Sequence, residues 1–349
     1  HLSGLTALTH LSISDNNNME NLSSLEALPL LTHLNASSIN MATISWLQNF
    51  TGLEVLDISN NTRLGDINPL TLLTQLTALD LSGNNNLEDL SVLSHLAALE
   101  TLDISSIYNN YNNDIDLTPL ASLPSLNSLT AKNISLKDIT KMTGLTSLTR
   151  LVLGSNKIVT LVGINKLVNL TELSIAGNSQ IESLTPIAEL TGLTTLSLQS
   201  MEQFDNLADI KTLVNLENLN LANTKITDIS ALANMPNLTT LTLRRNYDIT
   251  DISVLFGLEQ LSEIDLDGNS LILCTDLDAL VAALPSANIT RNYNCMSQPV
   301  DYSLVLDEGL LSCIGHWQVD AADLTSLHCS SSSIKNLTGI EQFSELHSL

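Results

Sequence analysis

"LTQLTALDLSGN" (Leu73–Asn84) has leucine at its first, fourth, seventh and ninth places and closes on asparagine. The same L-x-x-L-x-x-L-x-[LI]-x-x-N frame fits Leu5–Asn16, Leu145–Asn156, Leu167–Asn178 and, with isoleucine at the seventh place, Leu258–Asn269. The seventh place falls at Leu11, Leu34, Leu56, Leu79, Leu102, Leu129, Leu151, Leu173, Leu196, Leu219, Leu241 and Ile264. That makes twelve repeats stepping by 22 or 23 residues, except for one step of 27. Self-similarity at such a period marks a stacked-repeat solenoid.

Leucines two apart, such as Leu79 and Leu81, point to one side of a short strand, so each repeat is expected to give one strand to a parallel sheet. The asparagine that follows suits a sharp turn, and its amide can bond backbone groups that a curving chain leaves unpaired. Ile39, Ile107, Ile134, Met201 and Thr224 replace it, and there neighbouring repeats are expected to support the turn. The return half repeats as well: "GDINPL" at Gly65, "DLTPL" at Asp116, "SLTPI" at Ser183, "TDISAL" at Thr227 and "TDISVL" at Thr250. An Asp or Thr there reads as an N-cap and proline as a first helical residue, opening short 3₁₀ turns on the convex side.

The 22-residue length and this back half resemble the bacterial internalin-type leucine-rich repeats, and also the eukaryotic phosphatase-regulatory repeats of equal length. The resemblance covers residues 2–269. It implies an α/β repeat solenoid: a right-handed superhelix with a parallel sheet on the concave face and 3₁₀ or short helices on the convex face. It also implies a non-enzymatic protein-binding or adhesion module of a bacterial secreted or surface protein. The alternative it carries is an intracellular regulatory scaffold.

After Asn269 the frame breaks. "CTDLDALVAALPSANITRNYNC" reads as a helix led by Thr275 or Asp276 over Leu277–Leu284, then a strand near Ile289, which together cap the array (271–297). Cys274 and Cys295 bracket this cap outside the leucine positions, and a disulfide is favoured over two thiols. A linker is expected at 298–310. A second cap and first repeat are expected at 311–349, where Cys313 and Cys329 form a bridge or Cys329 is a buried thiol. The chain opens inside the pattern and ends in mid-repeat, as expected of a piece of a larger protein with tandem arrays.

The 349 residues carry a net charge of −24, unevenly spread: −12 over residues 1–131, where Arg63 is the one base, +1 over 132–245 and −13 over 246–349. This argues against a nucleic-acid partner, which calls for a basic surface. It suits a basic protein surface, divalent cations or simple solubility. No apolar run approaches the 18 residues of a membrane span. No G-x-S-x-G, C-x-x-C, P-loop or H-E-x-x-H motif occurs, and "LGSNK" (Leu153–Lys157) belongs to a repeat turn. Nothing positive points to an enzyme.

Strand parity names the outward residues. One column contains Asp57, Asp80, Asp103 and Val152, the next Ser59, Ser82, Ser105, Lys132, Ala222, Arg244 and Asp267, and the preceding one His10, His33 and Arg150. Three zones result: an aspartate ladder beside serines, a mixed zone with Lys132, Arg150 and Arg244, and an acidic zone with Glu263, Asp265 and Asp267. These residues are the expected partner-binding face. The ladder could also hold structural calcium weakly, although an open solvated stripe is the simpler reading; no other cofactor is expected. His10 and His33 stand side by side and read as a solvated pair before a metal pair. The 27-residue repeat adds "SIYNNYNNDID" (Ser106–Asp116), whose Tyr108 and Tyr111 would protrude at the sheet edge as contact residues or as an ordinary insertion.

Overall fold

The structure, a computed structural model, describes residues 5–17, 19, 22–107, 115–291, 295–296, 310, 334–340, 343 and 346. Each frame makes one short strand centred on its seventh place. The strands are β1 (His10–Ser12), β2 (His33–Asn35), β3 (Val55–Asp57), β4 (Ala78–Asp80), β5 (Thr101–Asp103), β6 (Ser128–Thr130) and β7 (Arg150–Val152). They continue through β8 (Glu172–Ser174), β9 (Thr195–Ser197), β10 (Asn218–Asn220), β11 (Thr240–Thr242) and β12 (Glu263–Leu266) to β13 (Asn288–Arg291), supplied by the cap. All thirteen join one parallel sheet in chain order. The seventh-place residues pair with one another from strand to strand, as in Leu56 with Leu79 and Leu79 with Leu102.

Such register follows from burial. A shift of one residue would turn Leu79 and Leu81 outward and Asp80 into the core. Leucines and isoleucines from Leu22 to Leu284 form one continuous apolar cluster between the sheet and the returning 3₁₀ turns. Each repeat packs only on its neighbours, so the core is quasi-one-dimensional.

The asparagine column does more than turn the chain. Asn156 is buried; its Oδ1 accepts from Ile134 N (3.0 Å) and Leu136 N (3.1 Å), and its Nδ2 donates to Ala131 O (2.8 Å) and Leu153 O (2.9 Å). Each amide thus staples its own turn to the repeat before it. Asn61 does the same for Ile39 and Met41, and Asn246 for Thr224. The expected support for repeats lacking the amide therefore comes from the following repeat at Ile39, Ile134 and Thr224. Asn16 is exposed, and among the described residues its Nδ2 bonds the carbonyls of Ile13 and Ser14 in its own repeat.

The residue before this column is left-handed in all twelve repeats, from Asp15 to Gly268, with φ between 53° and 82°. Glycine, asparagine, serine or aspartate stands there except at Arg245. At Gly83 a Cβ would also collide with the Asn60 side chain.

The convex turns are 3₁₀, as expected, but their caps differ in detail. Asp138, Asp228 and Asp251 lie one residue before the N-cap, and each Oδ1 accepts the N–H of the first helical residue two positions on. Pro69, Pro119 and Pro186 sit second in their turns rather than first. The tight turn places the residue between carboxylate and helix at the bend, shifting the cap outward.

The terminal helix α1 runs Cys274–Ala283, starting at the cysteine rather than at Thr275 or Asp276. It buries Leu277 and Leu280 over the end of the array. Cys274 and Cys295 are disulfide-bonded, with Cα atoms 5.1 Å apart. Beside the bridge, Cys274 N bonds Met296 O (2.9 Å) and Met296 N bonds Ile272 O (3.0 Å). Cys313, Cys329, Tyr108 and Tyr111, and most of the expected linker and second array, lie outside the described residues.

Candidate functional site: the concave sheet

The aspartate ladder is brought together as parity predicts, with Asp57 opposite Asp80 and Asp80 opposite Asp103 on adjacent strands. The carboxylates are half-buried rather than freely solvated. Each turns one oxygen back onto its own chain: Asp57 Oδ1 accepts from Ser59 N (3.0 Å), Asp80 Oδ1 from Ser82 N (2.8 Å) and Asp103 Oδ1 from Ser105 N (2.8 Å). Asp265 does likewise for Asp267 N (3.0 Å). Asn35 and Asn220 make the same bond to Ser37 N (2.9 Å) and Ala222 N (3.0 Å). At that bend the backbone bonds to the next repeat fall on Ile58 N and Asn60 N, and Ser59 N turns to the side chain instead. A short acceptor at this column therefore serves the bend whether or not it is charged, although Val152 stands in the same column without one.

Two of the bases are paired. Arg150 Nε lies 3.0 Å from Glu172 Oε2, and Arg150 Nη1 donates to Thr130 Oγ1 (3.1 Å). Arg244 Nη2 lies 3.1 Å from Asp267 Oδ2, so the mixed and acidic zones meet. Both are partly exposed pairs of the kind worth about 1 kcal/mol or less. Lys132 is exposed and makes no ion pair with another described residue. Val152, Ala222 and Ser59, expected to face outward into solvent, are buried. The short strands and close columns leave small side chains under their longer neighbours. Among the described residues no three carboxylate, imidazole or thiol groups gather as a metal-ligand set.

Two sets of aspartates titrate in opposite senses. Burial pushes the Asp80 carboxyl above its ordinary value, opposed by its Ser82 hydrogen bonds and reinforced by the charges of Asp103 and Asp57. On the convex side the Thr118 hydroxyl and N–H hold Asp116 down to about 2. Hydrogen bonds from Thr140, Ser230 and Ser253 likewise lower Asp138, Asp228 and Asp251. A raised folded value favours the protonated fold, so the Asp80 contribution is present at low pH and lost as pH rises through that value. The lowered groups stabilise above the unfolded value of 3.8 and lose that effect as pH falls through their folded values. Melting temperature should therefore rise on mild acidification from neutrality, then fall below pH 3.8 toward about 2. Asp80→Asn, which keeps the acceptor, should raise the neutral-pH melting temperature and abolish the rise. A lower neutral-pH melting temperature in that variant would contradict this account.

Sequence reasoning missed one further set of holding residues. At the third frame place, Asn169 Nδ2 donates to Thr146 O (2.8 Å), Asn215 to Thr191 O (2.9 Å) and Asn237 to Val214 O (3.2 Å). The "NLT" at Asn169 and Asn237 is thus part of an outer staple between repeats. The recurrence of asparagine at one frame place was the signal that could have found it.

The family described as "Leucine Rich repeats (2 copies)" matches residues 29–72, 146–189 and 214–255. No sequence match to a curated protein was found. Among solved structures, an internalin (InlF) from Listeria monocytogenes is similar with a TM-score of 0.64 and 27% identity, over 83% of this chain and 88% of that one. A leucine-rich repeat protein from Leptospira interrogans shares the fold at a TM-score of 0.60 and 20% identity, over 82% of this chain and 85% of that one. The functional domain of InlJ from L. monocytogenes shares it at 0.51 and 23%, over 76% of this chain and 60% of that one. No helix among the described residues is long and apolar enough to cross a membrane. Repeat length, strand register, 3₁₀ convex face and these likenesses together make the chain an internalin-like leucine-rich repeat protein.

Proposed function

We propose that the chain is a non-enzymatic adhesion or recognition module of a bacterial secreted or surface protein, docking a protein partner across its concave sheet. The observation that supports this most is the sheet itself: thirteen strands in one open surface whose outward columns run unbroken from repeat to repeat. Solenoids present extended concave surfaces of this kind to proteins. The partner's chemistry follows from charge. Residues 1–131 carry net −12, and the in-register Asp57, Asp80 and Asp103 lie at the centre of that segment's strand face. A basic surface fits there, with Asp265 and Asp267 as a second acidic zone and Lys132, Arg150 and Arg244 between them. The Cys274–Cys295 bridge suits an oxidising compartment and speaks against the intracellular scaffold.

The test uses the triple variant Asp57→Asn, Asp80→Asn, Asp103→Asn. Asparagine holds the same backbone bond at Asn35 and Asn220, so the fold should persist while three charges vanish. Capture of a basic probe protein by the intact chain should drop at least tenfold in the variant, and high salt should weaken the wild-type interaction. Equal capture by both forms would make the ladder bystander surface.

A further inference from the structure

The turn that leaves β2 is shorter than the turns on either side of it. Leu11 to Leu22 and Leu56 to Ile67, each running from the strand centre to the N-cap of the next 3₁₀ turn, span one residue more than Leu34 to Ile44. The short turn bends through a second left-handed residue, Asn40 (φ 59°), after Ser38 (φ 55°). Set back between two longer turns, it leaves a notch of about 450 Å³ where the chain departs from the strands. Met19 and Leu22 from the first repeat, Met41 and Trp46 from the second and Arg63 from the third line it.

Two groups in this notch lack the partners that their chemistry calls for. Arg63 is the one base of residues 1–131, a segment of net −12, yet it makes no ion pair or hydrogen bond among the described residues. Trp46 packs edge-on against Phe50, with ring centroids 5.9 Å apart and planes at 86°. Its Nε1 is buried and donates to no acceptor, alone in this among the buried side-chain polar atoms of the described residues. Buried polar groups in native folds are hydrogen-bonded, so an orphaned donor beside a notch calls for an acceptor. The remaining walls are apolar. Leu22 and Met41 are buried, whereas Met19 is partly exposed although its counterparts Leu64 and Leu87 are buried in later repeats. Unbranched methionine side chains adapt to an incoming group.

We propose that the notch captures the C-terminal residue of a peptide, with its carboxylate held by Arg63 and Trp46 Nε1 and its apolar side chain by Met19, Leu22 and Met41. An apolar C-terminal residue carries both features on one Cα, which matches a single notch with a charged wall and an apolar one. Arginine meets a carboxylate with paired N–H groups, and such charge-assisted bonds are roughly twice as strong as neutral ones. An internal aspartate or glutamate would answer Arg63 but leave the methionine wall bare. The negative charge of the surrounding segment repels free anions, so affinity depends on the apolar contact as well.

The probe is acetyl-Ser-Ala-Ala-Leu with a free C-terminus, titrated into the full chain, with the same peptide amidated at its C-terminus as control. The readout is the indole N–H proton signal of Trp46 in NMR, assigned by its loss in Trp46→Phe. The free-acid peptide should move that signal downfield and saturate, as an N–H gaining an acceptor does. The amidated peptide on the intact chain, and the free-acid peptide on Arg63→Gln, should each bind at least tenfold more weakly. Arg63 is exposed and holds no other described group, so that variant suits the fold. Equal binding of the two peptides, unchanged binding in Arg63→Gln, or a Trp46 signal unmoved by excess peptide would each overturn the assignment. Acetate binding as tightly as the peptide would overturn it too, because the apolar walls would then contribute nothing.

Discussion

Asn156→Ala is expected to lower stability by about 4 kcal/mol and to split one unfolding transition into two. The substitution removes the acceptor of the buried Ile134 N and the half-buried Leu136 N, and the donor to Ala131 O. Leu153 O keeps its bond from Asn178 Nδ2 (3.0 Å). An unsatisfied buried group costs about 1–3 kcal/mol, and two buried groups and one half-buried group lose their partner at once. Place matters as much as number. The two preceding repeats have Ile107 and Ile134 where the amide would stand, so neither supplies a staple to share the load. In a quasi-one-dimensional core, a weakened joint near the middle uncouples the halves. Urea unfolding followed by circular dichroism should become biphasic. A single transition displaced by less than about 1 kcal/mol would remove the asparagine column from its structural role.

Replacing Cys274 and Cys295 together by serine should lower stability by about 3 kcal/mol, the chain-entropy contribution of a loop of this length. The residues stand 21 apart in sequence. The effect should also be polar along the array. The bridge anchors Met296 beside Ile272 and fixes the start of α1, whose Leu277 and Leu280 cover the last leucines. Without it, hydrogen exchange should quicken first in β13 and β12 and last in the central strands. Uniform quickening along the array would contradict a capping role. Native material should carry this bridge oxidised; free thiols at Cys274 and Cys295 there would sink the extracellular assignment.

Much of the concave surface was legible because a strand alternates strictly. Once Leu79 and Leu81 were inward, Asp80 was outward, and the 23-residue step placed Asp57 and Asp103 beside it. Side-chain employment was not legible in the same way. The recurring carboxylate serves the N–H two residues on, a duty that Asn35 and Asn220 perform without charge. Arg244 and Asp267 were assigned to different zones, yet they pair, because adjacent strands bring residues 23 apart within side-chain reach. The outward Val152 is buried because short strands leave a small side chain beneath its neighbours.

The sequence alone determined the repeat, its length, the parallel strand order and the inward leucines, because each of these depends on periodicity and on the cost of exposing apolar surface. Only the tertiary structure decided which polar groups meet. The staples run from Asn156 to Ile134 and Leu136 and from Asn237 to Val214. Each joins residues about one repeat apart, and the distance between them is set by how far one coil advances on the next. No property of either residue by itself contains that distance.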